Sequence, residues 1–183
     1  GGRNNTTSFL SNGYRYEPVG DTWTILPGSA LAARDNHTAV WTGSEMIIWG
    51  GNTTGTTATA TGARFNPAGA GTWTTMSTAG PAVFDHTAVW TDSLMLVFGG
   101  QNNSTTYSAD LRSYNPASNT CTDLPDLPGS AARSRHVAVW TGTEMIVHGG
   151  YRNWATNSHR VFADGWRYNP TSSTWTPIAT DAD

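Results

Sequence analysis

His136-Val-Ala-Val-Trp-Thr-Gly-Thr-Glu-Met-Ile-Val-His-Gly-Gly150 decides the fold, because the chain contains it three times. The other copies are His37-Thr-Ala-Val-Trp-Thr-Gly-Ser-Glu-Met-Ile-Ile-Trp-Gly-Gly51 and His86-Thr-Ala-Val-Trp-Thr-Asp-Ser-Leu-Met-Leu-Val-Phe-Gly-Gly100. Repetition this regular means one structural unit copied along the chain. Within the unit, His-x-Ala-Val-Trp reads as a strand (A). A short turn follows, and then a continuous apolar run into Gly-Gly forms a second strand (B). Continuous hydrophobicity, as opposed to alternation, marks a strand covered on both faces.

Gly-Gly pairs fall at 1–2, 50–51, 99–100 and 149–150. After each comes a polar loop and then a strand (C) ending in an aromatic residue, one more residue and Pro. These are Gly13-Tyr-Arg-Tyr-Glu-Pro18, Gly62-Ala-Arg-Phe-Asn-Pro67, Leu111-Arg-Ser-Tyr-Asn-Pro116 and Gly165-Trp-Arg-Tyr-Asn-Pro170. A tight turn leads to the last strand (D): Thr22-Trp-Thr-Ile-Leu26, Thr72-Trp-Thr-Thr-Met76, Thr120-Cys-Thr-Asp-Leu124 and Thr174-Trp-Thr-Pro-Ile178. Its Thr/Trp alternation fits an outer strand with one covered face.

Gly-Gly, an aromatic residue and Trp, recurring in register at roughly 50 residues, resemble the kelch motif of β-propellers. The resemblance covers the whole chain. It implies an all-β, kelch-type β-propeller: three complete four-stranded blades preceded by the C–D half of another, with strand A innermost. The expected divisions of this single segment are 1–33 for the half-blade and loop, then blades at 34–82, 83–132 and 133–183. Cys121 stands where the other D strands carry Trp, Phe65 where the other C strands carry Tyr, and Ser113 where they carry Arg. Trp41, Trp90 and Trp140, with the B strands, are expected to form the core between blades. The first strand C, Tyr14–Pro18, is expected to lack an inner neighbour. The last blade is expected to expose apolar surface around Trp140 and Met145–Val147. These open edges predict either a piece of a longer propeller or self-association through strand addition or blade stacking.

Composition limits the function. Of the 183 residues, 13% are charged, every basic residue is Arg, and the net charge is -3. That balance argues against a dedicated nucleic-acid surface. A single Cys excludes an intrachain disulfide. No apolar run approaches the length of a membrane span, and no signal sequence is visible; a first residue other than Met points to a processed or partial chain. Asn-x-Ser/Thr sequons at Asn4, Asn5, Asn36, Asn52, Asn102 and Asn103, with the polar loops around them, favour an extracellular or cell-surface setting.

The D–A and B–C loops share one face of such a propeller, and function concentrates on long loops. The fourth B–C loop, Tyr151-Arg-Asn-Trp-Ala-Thr-Asn-Ser-His-Arg160, gathers aromatic, cationic and imidazole groups. Tyr151, Arg152, Trp154, His159 and Arg160 are therefore the candidate ligand contacts, joined by Arg34, Arg133 and Arg135 of the D–A loops. Aromatic and Arg side chains are enriched where interfaces concentrate their energy. His37, His86 and His136 recur once per blade, which fits the repeat's own hydrogen bonding better than a metal site. No catalytic set is legible, and no cofactor is expected. The expected role is a non-catalytic binding or assembly module for a protein or glycan. The alternative implied by the resemblance is a carbohydrate-acting enzyme of the galactose-oxidase or sugar-modifying kind. In the galactose-oxidase type, copper is held by tyrosines and histidines, with one Tyr joined to a Cys; Cys121 lies on an outer strand, so none of those site residues carries over.

Overall fold

A computed structural model describes residues 1–4, 8–129, 131–154 and 158–179, without the side chains of 153, 154, 158 and 159. The strands in chain order are β1 (Gly2–Arg3), β2 (Phe9–Leu10), β3 (Tyr14–Glu17), β4 (Thr22–Ile25), β5 (Thr38–Trp41) and β6 (Met46–Trp49). Next come β7 (Gly62–Asn66), β8 (Thr72–Thr75), β9 (Thr87–Trp90), β10 (Met95–Phe98), β11 (Leu111–Asn115) and β12 (Thr120–Leu124). The last are β13 (Val137–Trp140), β14 (Met145–His148), β15 (Tyr151–Trp154), β16 (Ser158–Val161), β17 (Gly165–Asn169) and β18 (Thr174–Ile178).

Three antiparallel four-stranded sheets result: β5-β6-β7-β8, β9-β10-β11-β12 and β13-β14-β17-β18. Each is one A–B–C–D blade. The pair β3-β4 is the half-blade, and among the described residues β3 has only β4 beside it. The main strand contacts between sheets join β5 to β9 and β9 to β13, so the A strands stand innermost around the axis. The architecture is a segment of a β-propeller.

The period-two pleat explains the double burial of strand B. Met95 and Val97 face the first blade, in a cluster with Ile47, Trp49, Met76, Val83 and Tyr114. Leu96 and Phe98 face the third, with Val89, Leu111, Leu127, Met145, Val147 and Tyr168. Burying each such side chain contributes about 1.5–3 kcal/mol, so the B strands hold the seams together.

The strand A tryptophans differ from expectation. Trp90 and Trp140 pack at the margins of these clusters, but Trp41 is 53% exposed. Trp41 lines a cleft of about 420 Å³ with Tyr14, Leu26 and Phe65, beside a half-blade that has no inner strands to cover it. The last blade also differs: Met145 and Val147 are fully buried, and its exposed large apolar residues are Val137 (64%), Val139 (56%), Val161 (78%) and Ile178 (38%).

Polar staples reinforce each seam. His86 Nε2 lies 2.8 Å from Thr38 Oγ1 of the preceding blade, and His136 Nε2 lies 2.7 Å from Thr87 Oγ1. At the rim, Trp73 Nε1 donates to the Pro27 carbonyl and Trp175 Nε1 to that of Pro125. Cys121 cannot make this bond, and that seam uses the Ser77 amide donating to Asn119 Oδ1 instead. Cys121 sits half-buried opposite Tyr114, and burial pushes its thiol pKa up.

The residue before each strand D Thr takes a left-handed conformation: Asp21, Gly71, Asn119 and Ser173. Tyr16 and Tyr114 donate their hydroxyls to Asp21 and Asn119. Phe65 has no hydroxyl, and Gly71 opposite it has no acceptor; a Cβ there would lie 2.5 Å from the ring.

Candidate functional site

The B–C loops are more ordered than their Asn/Thr/Ser composition implies. The second, third and fourth start by pairing with their own blade's D–A loop: Asn52 with Asp35, Gln101 with Phe84, and Tyr151 with Ser134. Asn52 and Gln101 then pair back with Ala58 and Tyr107, while β15 pairs with β16 over Tyr151↔Val161 and Arg152↔Arg160. The loop face thus carries small additional sheets that hold side chains in place.

The D–A arginines divide into two roles. Arg133 is fully buried. Its Nε donates to Ala131 O, its Nη1 to Gly149 O and Asp164 Oδ1, and its Nη2 to Asp164 Oδ2. The Arg133 hydrogen bonds hold the Asp164 carboxyl below its ordinary pKa. Arg34 is also buried and donates to Ala32 O, Gly50 O, Thr61 O and Thr61 Oγ1. Both fasten a Gly-Gly turn to the end of its B–C loop, within the fold.

Arg135 is placed differently. It follows Asn36 and Asp85 at the same point of successive repeats, one residue before strand A's His, with left-handed φ angles of 51°, 53° and 52°. The Asp85 amide donates to Asn36 O and the Arg135 amide to Asp85 O, linking these residues from blade to blade beside the axis. Arg135 Nε donates to Asp85 Oδ2 at 2.8 Å, and this bond raises the guanidinium pKa further. The Arg135 side chain is 60% exposed, against 11% for Asp85. Its Cζ lies 5.4 Å from the centre of the Tyr151 ring, which meets Tyr107 edge-on at 5.9 Å. Gln101 Nε2 donates to Ser134 Oγ at 3.1 Å and reaches the Tyr151 hydroxyl at 3.5 Å. A largely buried carboxylate and a ring fix this guanidinium, and among the described residues its terminal nitrogens make no hydrogen bond. A planar fork presented this way suits a carboxylate or another planar oxyanion.

Of the other candidates, Arg152 is buried and lies opposite the exposed Arg160 in the β15-β16 register. Arg160 and Arg133 both stack on Phe162, at 4.7 and 4.0 Å from the ring centre. The side chains of Trp154 and His159 lie outside the described residues. Sequence reading placed Asp85 among the D–A loop residues of this face without pairing it to Arg135, and it missed Tyr107 and Gln101, which lie 44 and 50 residues from Tyr151 and meet it only when blades stack. Among the described residues, no three His, Cys, Asp or Glu side chains converge as a metal site would require.

Sheet order, axis and loop face define a kelch-type propeller with a side-chain cluster on its loop face. The KLHDC2/KLHL20/DRC7 Kelch-repeats domain matches residues 1–183, and the chain belongs to the kelch-repeat family. A solved structure titled "Structure of YjhT" superposes with a TM-score of 0.71 at 16% identity, over 88% of this chain and 56% of that one. This likeness shows the shared fold, and the present chain spans about half of that molecule. No curated protein matches the chain.

Proposed function

We propose that this kelch segment is a non-catalytic binding module that takes an acidic segment of a partner protein on its loop face, with Arg135 as the central contact. Kelch propeller domains commonly bind proteins. The observation that carries the reading is the Arg135 guanidinium, anchored by Asp85 and backed by Tyr151, with its outer edge open. The same reading gives the module an extracellular or cell-surface setting, motivated by its Asn/Thr-rich loops. A carboxylate-bearing glycan is the competing ligand.

The test uses a tetraglutamate peptide blocked at both ends and its tetraglutamine counterpart, followed by calorimetry. The glutamate peptide should bind in preference. Arg135→Ala should weaken it about tenfold or more, the scale of a charge-assisted hydrogen bond. Equal binding of both peptides, or no loss in Arg135→Ala, would overturn the assignment. Binding of an acidic oligosaccharide in place of the peptide would transfer the site to the glycan.

A further inference from the structure

The sequence contains two Asx-Gly steps, Asn12-Gly13 and Asp164-Gly165. They occupy the same position in the repeat, at the end of a B–C loop and just before strand C. In both, the first residue's carbonyl accepts from the leading Gly of its Gly-Gly pair: Gly1 N to Asn12 O at 2.6 Å, and Gly149 N to Asp164 O at 3.1 Å. Their side chains are held very differently. Asp164 takes both Arg133 terminal nitrogens and, at 2.7 Å, Trp166 Nε1. Asn12 is exposed, and its recorded side-chain bond is a 3.3 Å contact from Nδ2 to the Tyr14 hydroxyl.

The geometry points to Asn12 as a site of spontaneous modification, where the Gly13 amide closes on the Asn12 side chain to give a succinimide and then aspartate or isoaspartate. The Gly13 nitrogen attacks Asn12 Cγ; the N–Cγ bond forms and the Cγ–Nδ2 bond breaks. The amide proton passes through water to the departing nitrogen, which leaves as ammonia. Water then opens the ring at either carbonyl, with no change of oxidation state. Gly13 lowers the steric barrier to that approach because it has no Cβ. Among the described residues its N–H donates to no partner outside the strand ladders, and it lies outside β3. Several other asparagines are restrained as acceptors in turns. Asn52 Oδ1 takes the Thr54 and Gly55 amides, and Asn103 Oδ1 those of Thr105 and Thr106. Isoaspartate at 12 would lengthen the backbone just before β3, where the Leu26 amide donates to Gly13 O at 2.9 Å, so the β3-β4 hairpin should loosen.

The whole chain is aged at mildly alkaline pH and mapped by peptide mass spectrometry with isoaspartate detection. Asn12 should convert more than tenfold faster than any other Asn, and Gly13→Ala should remove that excess. Asp164→Asn supplies the comparison, an Asn-Gly step whose Oδ1 can still accept from the donors around it while its Nδ2 loses the remaining bonds. In folded protein the substituted position 164 should convert several-fold more slowly than Asn12, and in urea the two rates should converge. Equal rates in the folded chain, or no excess at Asn12 over the other asparagines, would overturn the proposal.

Discussion

Tyr168 is wholly buried, and its hydroxyl has no partner among the described residues. The equivalent hydroxyls of Tyr16 and Tyr114 donate to Asp21 and Asn119, but this blade has Ser173 at the matching left-handed position. Asn supplies the longer acceptor and tolerates that backbone well. Ser173→Asn should therefore stabilise the chain by about 1 kcal/mol, raising the melting temperature by about 2–4 °C. An unchanged or lower melting temperature would show that the two side chains do not meet. Arg133 gives the opposite case. Arg133→Ala leaves the carbonyls of Ala131 and Gly149 without their donor and empties a buried volume, so it should cost about 2–4 kcal/mol. Arg135→Ala, two residues along and with an exposed side chain, removes the partner of Asp85 and should cost about 1 kcal/mol, less than Arg133→Ala. Comparing their urea midpoints separates the structural arginine from the binding one.

At the scale of elements, the A strands are joined through His-Thr pairs whose imidazoles are buried. Burial, then the neighbouring His136 and His37, pushes His86 down to about 3; burial, then Arg133, does the same to His136. A histidine whose pKa falls on folding is neutral in the native state and takes up protons more readily when unfolded. Stability is therefore complete above the ordinary histidine pKa and declines as pH falls from about 6.5 toward 3. Melting followed by circular dichroism across that range should show the decline, and His86→Gln should flatten it. A flat profile in the parent chain would mean that the imidazoles are already solvated. The four-strand period was legible because Gly-Gly, aromatic residue and Trp recur in register, a pattern set by backbone and packing needs that every blade shares. The β15-β16 hairpin was not legible, since Tyr151 to Val161 lacks a clean alternation. Arg34 and Arg133 read as surface cations because sequence shows a charge but not the carbonyls it will meet. Arg135 was among the candidates, while its pairing with Asp85 became visible only when the second and third blades stood side by side. Trp41, Trp90 and Trp140 share one motif yet differ in burial, because exposure there depends on the neighbouring sheet.

For the whole molecule, the two ends leave apolar surface uncovered: Val137 and Val139 on the last blade, Trp41 and the 67%-exposed Trp23 at the first. Val137 and Val139 lie two apart on β13 and so share one face of the strand, and we propose that these uncovered surfaces associate. Sedimentation at several micromolar concentrations should show reversible self-association, and Val139→Glu should reduce it. A monodisperse monomer at every concentration would show that these faces are too small to pair. The seam staples have a thermodynamic consequence as well. Each blade is fastened to its neighbour through its own His-Thr pair, rim bond and apolar cluster, so the segment behaves as a short row of coupled units. The middle blade has two couplings, the last has one, and the β3-β4 pair shares a single weakly covered border. Hydrogen exchange should therefore be graded along the row, fastest at Tyr14–Glu17 and slowest at Met95–Phe98. Heat would melt this protein from its ends toward Leu96.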